Sequence, residues 1–337
     1  MNIIDGAVFV QTNDADSNQV IVFGRGEDGA LTSIASYETG GRGTGSPHLP
    51  SQGSVVAVGG RVLVANTGSN DLSVFEIGQS GLELLDRAPA GRAPRSVAVR
   101  GDLVYVLGSD GITGLRSSTE GGVTPIEGSA RALSTAEADG AQVSFTPDGK
   151  SIVVTERVTD KISVYTVGSD GLLQGPAVTP SSGATPYGFD FTADGTLVVT
   201  EAFGGEVGAA AASSYRLNGT LAPVSPSVKN SRSEVCWAAV SKDGRFAYVT
   251  NFGDNTISSY TVGDDGSIGL LDPVAASTRR GAKGIRDEAV TGDGRYLYAL
   301  DADAGAIHGW IIGADGSLAP VAAVEGLPPT AAGLAVL

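Results

Sequence analysis

Short β-branched and aromatic runs recur along this chain, and each stops at one polar residue. They read "VLVANTGSN" at 62–70, "IVVTERVTD" at 152–160, "VTEAFGG" at 199–205, "AYVTNFGDN" at 247–255 and "LYALDADAG" at 297–305. The stopping residues are Asn66, Glu156, Glu201, Asn251 and Asp301, so one slot holds an amide in some copies and a carboxylate in others. The best-preserved stretch, 237–274, divides into four strand-like runs, "WAAVS", "FAYVTN", "TISSYTV" and "IGLLDPV", with turn residues between them.

The turns set the period. An Xaa-Gly pair closes similar segments at Asp28-Gly29, Ser80-Gly81, Glu120-Gly121, Asp170-Gly171, Asn218-Gly219, Asp265-Gly266 and Asp315-Gly316, about 48 residues apart on average. A second turn recurs upstream at Asp148-Gly149, Asp194-Gly195, Asp243-Gly244 and Asp293-Gly294, where a glycine supplies the positive φ of a two-residue hairpin loop. Four antiparallel strands repeated seven times predict an all-β fold, a seven-bladed β-propeller in a single domain spanning 1–337. The chain opens with "AVFVQTN", "QVIVFGR" and "LTSIASY", the second to fourth strands of a blade that lacks its first, and it finishes with a lone "AGLAVL". Those ends are expected to share one blade and close the ring. Blade 3, "RSVAVRGDLVYVLGSDGITGLRSS", is the most divergent and is expected to have a weak third strand, and blade 5 is expected to carry an insertion at Glu206–Leu217.

Composition narrows the function. The 49 glycines suit many tight turns, and the net charge of −15 argues against nucleic-acid and anionic-membrane partners, whose affinity rests on Lys and Arg. The single cysteine allows no internal disulfide. No apolar run approaches the roughly 20 residues that cross a bilayer, and "MNIIDGAVFV" lacks a basic leader. A soluble monomer is expected, cytoplasmic, or extracellular if a leader has been removed.

In a propeller the loops leading into each blade's first strand and those leaving its second meet at one mouth of the central channel. The lead-in residues include Arg95, Gln142, Tyr187, Trp237, Arg286 and Asp287, and the exit residues include Glu156 and Glu201. His48, in "GRGTGSPHLPSQGS", lies on a loop leading to the same mouth. Carboxylates, amides, arginines and aromatics together suit a polar small molecule. An Asn or Asp in the exit slot reads first as a turn residue bonding nearby backbone. Glu makes that short loop less readily, which singles out Glu156 and Glu201, while Trp237 also reads as packing between blades and Cys236 as a small buried hydrophobe.

Other chemistries drop out. "DADSN" at 14–18 lacks the glycine and terminal glutamate of a calcium loop, "GGRGTG" has no strand-then-helix setting, and there is no Gly-x-Ser-x-Gly or His-Glu-x-x-His. With two histidines and one cysteine the usual His/Cys zinc site is excluded, and no cofactor is expected. Glu156, Glu201 and Asp301 could hold a divalent cation only if the fold brings them together.

The segments "PDGKSIVVTERVTDKISVYTVGSDGLL", "KDGRFAYVTNFGDNTISSYTVGDDGSI" and "GDGRYLYALDADAGAIHGWIIGADGSL" resemble the seven-bladed lactonase family, which includes bacterial 6-phosphogluconolactonases and fungal carboxymuconate lactonizing enzymes. The resemblance implies a site at the channel mouth built from histidine, arginine and a glutamate that ends a second strand. In this chain the histidine slot falls on Gln142 or Ala141, the arginine and histidine after a proline become Tyr187 and Gly188, and the arginine after an exit Asn becomes Phe252. The glutamate matches, as Glu201.

Two functions follow. One is a lactonase-like hydrolase or cyclase acting on an uncharged or weakly charged lactone or related sugar or organic acid. Glu201 would be its base, with Arg95 or Arg286 as electrophilic partner, Glu156 or Asp287 shaping the pocket and Gln142 positioning the substrate. The other is a non-catalytic propeller that binds a small molecule or protein segment at the same face.

Overall fold

The computed structural model of the protein describes residues 3–278 and 283–337. Seven antiparallel sheets follow one another around a ring. Blade 6 shows how sequence becomes strand. Its strands span Val235–Val240, Phe246–Asn251, Thr256–Val262 and Ile268–Ser277, within a few residues of the runs predicted for them. The two middle strands are almost entirely buried because both of their faces pack on neighbouring blades, and the small hydroxyl residues of the third are buried with the apolar ones.

The ends of the chain share blade 1. Ala332–Val336 pairs antiparallel with Ala7–Gln11, which is followed outward by Gln19–Arg25 and Leu31–Glu38. Val8, Val10 and Leu334 pack together on blade 7, and Phe9 and Ala335 pack on blade 2. The closing strand is therefore held on both faces as well as by its ladder.

Two local expectations need correcting. In blade 3 the third strand, Gly111–Ser117, is full length, and the fourth, Val123–Pro125, is the reduced one. In blade 5 most of the supposed insertion is the third strand itself, Ala211–Asn218, whose small residues fit under a close neighbour; only the loop before it is extra. The only helical segments among the described residues are two short 3-10 turns, at Ile3–Asp5 and Phe203–Gly205, and no helix is long and apolar enough to cross a membrane.

Ring closure gives a direct test. Deleting 332–337 strips Ala7–Gln11 of its partner and uncovers apolar side chains on two blades. The thermal midpoint followed by circular dichroism is expected to fall by roughly 10 °C or more. An unchanged midpoint would contradict closure by this strand.

Candidate functional site

At the channel mouth a cavity of about 600 Å³ lies off the axis, over blades 5 to 7. Its wall comes from the second residue of three first strands, Tyr187, Cys236 and Arg286, and from the residues just after two exit slots, Ala202 and Phe252. His48 completes it from the long loop between blades 1 and 2.

That loop is held at three places. Asn13, itself an exit residue, donates to Ser46 O at 2.8 Å and Thr44 Oγ1 at 2.9 Å, and its Oδ1 accepts from Thr44 N at 2.9 Å. The approach is so close that a Cβ on Gly43 would lie 2.3 Å from Asn13 O, so only glycine fits there. At the tip, Arg286 Nη1 donates to Pro47 O beside His48. Beyond it the Gln52 amide crosses the channel, donating to Ala238 O at 2.9 Å and accepting from Ala238 N at 3.3 Å.

The His48 ring is largely enclosed, and Nδ1 is sealed from solvent without a hydrogen-bond partner among the described residues. Nε2 is thus the nitrogen left to face the cavity. Burial, then the Arg286 and Arg157 guanidinium groups, push the imidazole down to about 4, so it is neutral at physiological pH. Arg286 stacks over the Phe252 ring at 4.7 Å and spends two of its donors on Pro47 O and on Asp303 Oδ1, the latter at 3.4 Å. Five N–H donors per guanidinium leave capacity for a ligand. Tyr187 packs on Trp237 with ring centroids 4.7 Å apart, and its hydroxyl accepts from Arg157 Nη1 at 2.9 Å. Burial raises the Tyr187 phenol and pushes the Cys236 thiol up to about 12, so both stay protonated.

Of the residues singled out from sequence, the cavity gathers His48, Tyr187 and Arg286. Trp237 lies fully buried behind Tyr187, where the position of Gly188 is already filled: a Cβ there would come within 2.7 Å of Trp237 Cα. Arg95 does not line the cavity; it donates to Asp139 at 2.8 Å, and Asp139 also accepts from Arg157. Gln142 is used elsewhere. Both ends of its amide bond the Phe189 backbone, at 2.9 Å and 2.7 Å.

Glu156 and Glu201 do not reach the mouth. Each is 0% exposed inside its own blade. Glu201 accepts from Gly183 N at 2.8 Å, Ser213 Oγ at 2.5 Å and Ser227 Oγ at 2.6 Å. Glu156 accepts from Ser134 N at 3.0 Å, Thr159 Oγ1 at 2.8 Å and Ser163 Oγ at 2.6 Å. Asp301 sits in a third cage of this kind, with Asn255 and Thr278 donating to it. The three acids are therefore kept apart, and among the described residues no group of three His, Cys, Asp or Glu is arranged to hold a metal.

Asp287 is enclosed in the channel. Gly333 N donates to its Oδ2 at 3.1 Å, while Oδ1 has no partner among the described residues. Burial pushes it up to about 7 against the opposing pull of that hydrogen bond and of Arg286. The neighbouring Glu288 is pushed well up by burial too.

Sequence reasoning passed over Phe252 and Cys236 as site residues, and Arg157 altogether. The signal was strand alternation. When an exit-slot side chain points into its blade, the next one points to the mouth, and Ala202 and Phe252 occupy that following position.

A cavity over three blades, closed by a looped-in histidine, lies at one channel mouth of a seven-bladed propeller. The family profile described as "Lactonase, 7-bladed beta-propeller" matches residues 125–202 and 198–332, and the chain belongs to that family. Among solved structures, a Lactobacillus plantarum protein superposes with TM-score 0.75 at 17% identity, covering 98% of this chain and 99% of its own. A candidate 6-phosphogluconolactonase of Bacteroides fragilis gives 0.74 at 18% identity, covering 100% and 99%. The periplasmic gluconolactonase of Pseudomonas aeruginosa gives 0.73 at 18% identity, covering 96% and 97%. At these identities the likeness is one of fold. No curated protein matches the chain.

Asp287 yields a pH prediction. Its carboxyl is held protonated in the folded state up to about 7, while the unfolded chain releases that proton near 3.8. Between those values the unfolded state binds fewer protons, so stability falls as pH rises through the window, by an amount on the order of 2–4 kcal/mol. Asp287→Asn, which can still accept from Gly333, should raise the thermal midpoint at pH 8 and leave it nearly unchanged at pH 4. Equal shifts at both pH values would contradict this reading.

Proposed function

We propose that the protein hydrolyses a small lactone at the channel mouth, with His48 as the base and Arg286 as the electrophilic partner. The carrying observation is that a neutral imidazole and a cationic donor with spare N–H groups line one cavity. Family membership supports the reaction class. In this reading the lactone carbonyl oxygen meets Arg286, and a water lies between the carbonyl carbon and His48 Nε2. The imidazole takes the water's proton as its oxygen adds to carbon, and Arg286 stabilises the resulting oxyanion. That anion also offsets the cation which disfavours imidazolium, so His48 becomes a better base as the reaction proceeds. Collapse breaks the ring C–O bond, His48 returns its proton to the alkoxide, and a hydroxy acid leaves. Glu201 has no part in these steps, because every neighbour that meets it is a structural donor in its own blade.

Proton release from a panel of γ- and δ-lactones separates the roles. His48→Ala should lower kcat/KM by about 100-fold or more, the scale of a lost general base. Glu201→Gln should leave kcat/KM within about twofold and cost roughly 1–2 kcal/mol of stability, as charge-assisted hydrogen bonds become neutral ones. The reverse pattern would restore Glu201 as the base. No turnover of any lactone by the wild type would leave the site a binding pocket. The kcat/KM profile should be flat from about pH 5.5 to 8 and fall towards pH 4 as His48 takes up a proton.

A further inference from the structure

The wall of the cavity speaks to the kind of lactone. Phe252 stands where the chain turns out of the second strand of blade 6. Its ring packs on that blade's core and is flanked by two cations, Arg286 at 4.7 Å and Lys283 at 5.6 Å. Tyr187, Ala202, Val235 and Cys236 continue the apolar surface. Four cations around it share three carboxylates, which leaves a single net positive charge. Lys283 Nζ bonds Glu234 Oε1 at 2.5 Å, Arg286 faces Asp303 at 3.4 Å, and Arg95 and Arg157 share Asp139. A phosphate dianion needs several uncommitted cationic donors. Here the one net positive charge falls short of the two that a dianion brings, and recruiting more cationic donors means drawing them from their carboxylates. An uncharged ligand leaves all of these pairs intact and gains by covering the apolar wall.

We propose that the site takes uncharged lactones carrying an alkyl or aryl substituent, seated against Phe252, and that Phe252 is the residue setting this preference over phosphorylated sugar lactones. This rests on the lactonase reading for the ring, while the substituent's preference rests on the wall alone. No covalent step is added. The lactone carbonyl stays at Arg286, and the substituent lies along Phe252, Val235 and Ala202.

The test is equilibrium binding, so that it is independent of turnover. Isothermal titration of the full chain with δ-lactams of increasing alkyl length, which keep the ring and carbonyl but resist hydrolysis, is compared with titration by 6-phosphogluconate. Affinity should rise roughly three- to fourfold per added methylene over the first few, and 6-phosphogluconate should bind at least about tenfold more weakly than the longest of these lactams. Phe252→Arg should remove the chain-length dependence and improve 6-phosphogluconate binding, whereas Phe252→Leu, which keeps an apolar wall, should retain most of the dependence. Affinity independent of chain length, or tighter wild-type binding of 6-phosphogluconate, would overturn the proposal. Length-dependent lactam binding without turnover of the matching lactones would sink the hydrolase reading and uphold the ligand class.

Discussion

Each blade's first strand presents a free edge to the channel, and its backbone N–H groups must find acceptors there. Side chains from the preceding blade supply them. Ser96 Oγ accepts from Val143 N at 3.1 Å, Gln142 from Phe189 N at 2.7 Å, Asp190 from Val240 N at 2.8 Å and Asp287 from Gly333 N at 3.1 Å. Gln52 does the same for Ala238 from across the ring. This belt ties neighbouring blades together along the channel wall. It also accounts for the buried acids. Asp190 and Asp287 serve as acceptors in an enclosed setting, and burial raises both.

The alternation of amide and carboxylate in the exit slot has a related cause. Seven residues after the slot, the third strand brings a serine beneath it in three blades. Ser73 donates to Thr39 O and Ser258 to Pro273 O, so each must accept from the slot, and there the slot is Asn66 or Asn251. Ser163 instead donates to the slot, which is Glu156, and in blade 5 Ser213 and Ser227 donate to Glu201. The direction of a hydroxyl therefore selects the side chain. A carboxylate fits where every neighbour donates, and an amide fits where one neighbour must be given a hydrogen.

The fold was legible because turn chemistry repeats and strand patterning is local. The seven blades and the shared first blade follow from Asp-Gly turns and apolar runs alone. The site was half legible. His48, Tyr187 and Arg286 were placed by position in the repeat, but which way an exit side chain points depends on a single residue of register, and this separates Glu201 from Ala202 and Asn251 from Phe252. Nor could the sequence show that Gln142 and Asp287 are taken up by backbone in the next blade. Those partners lie more than forty residues away.

The account turns on His48 and Arg286 facing one ligand, and a crystal structure with a bound alkyl δ-lactam addresses that directly. The predicted result is a lactam carbonyl oxygen within hydrogen-bonding distance of Arg286, its ring beside His48 Nε2 and its chain along Phe252. A lactam bound elsewhere, or a 47–48 loop tip withdrawn from the mouth with His48 out of reach of the ring, would contradict it.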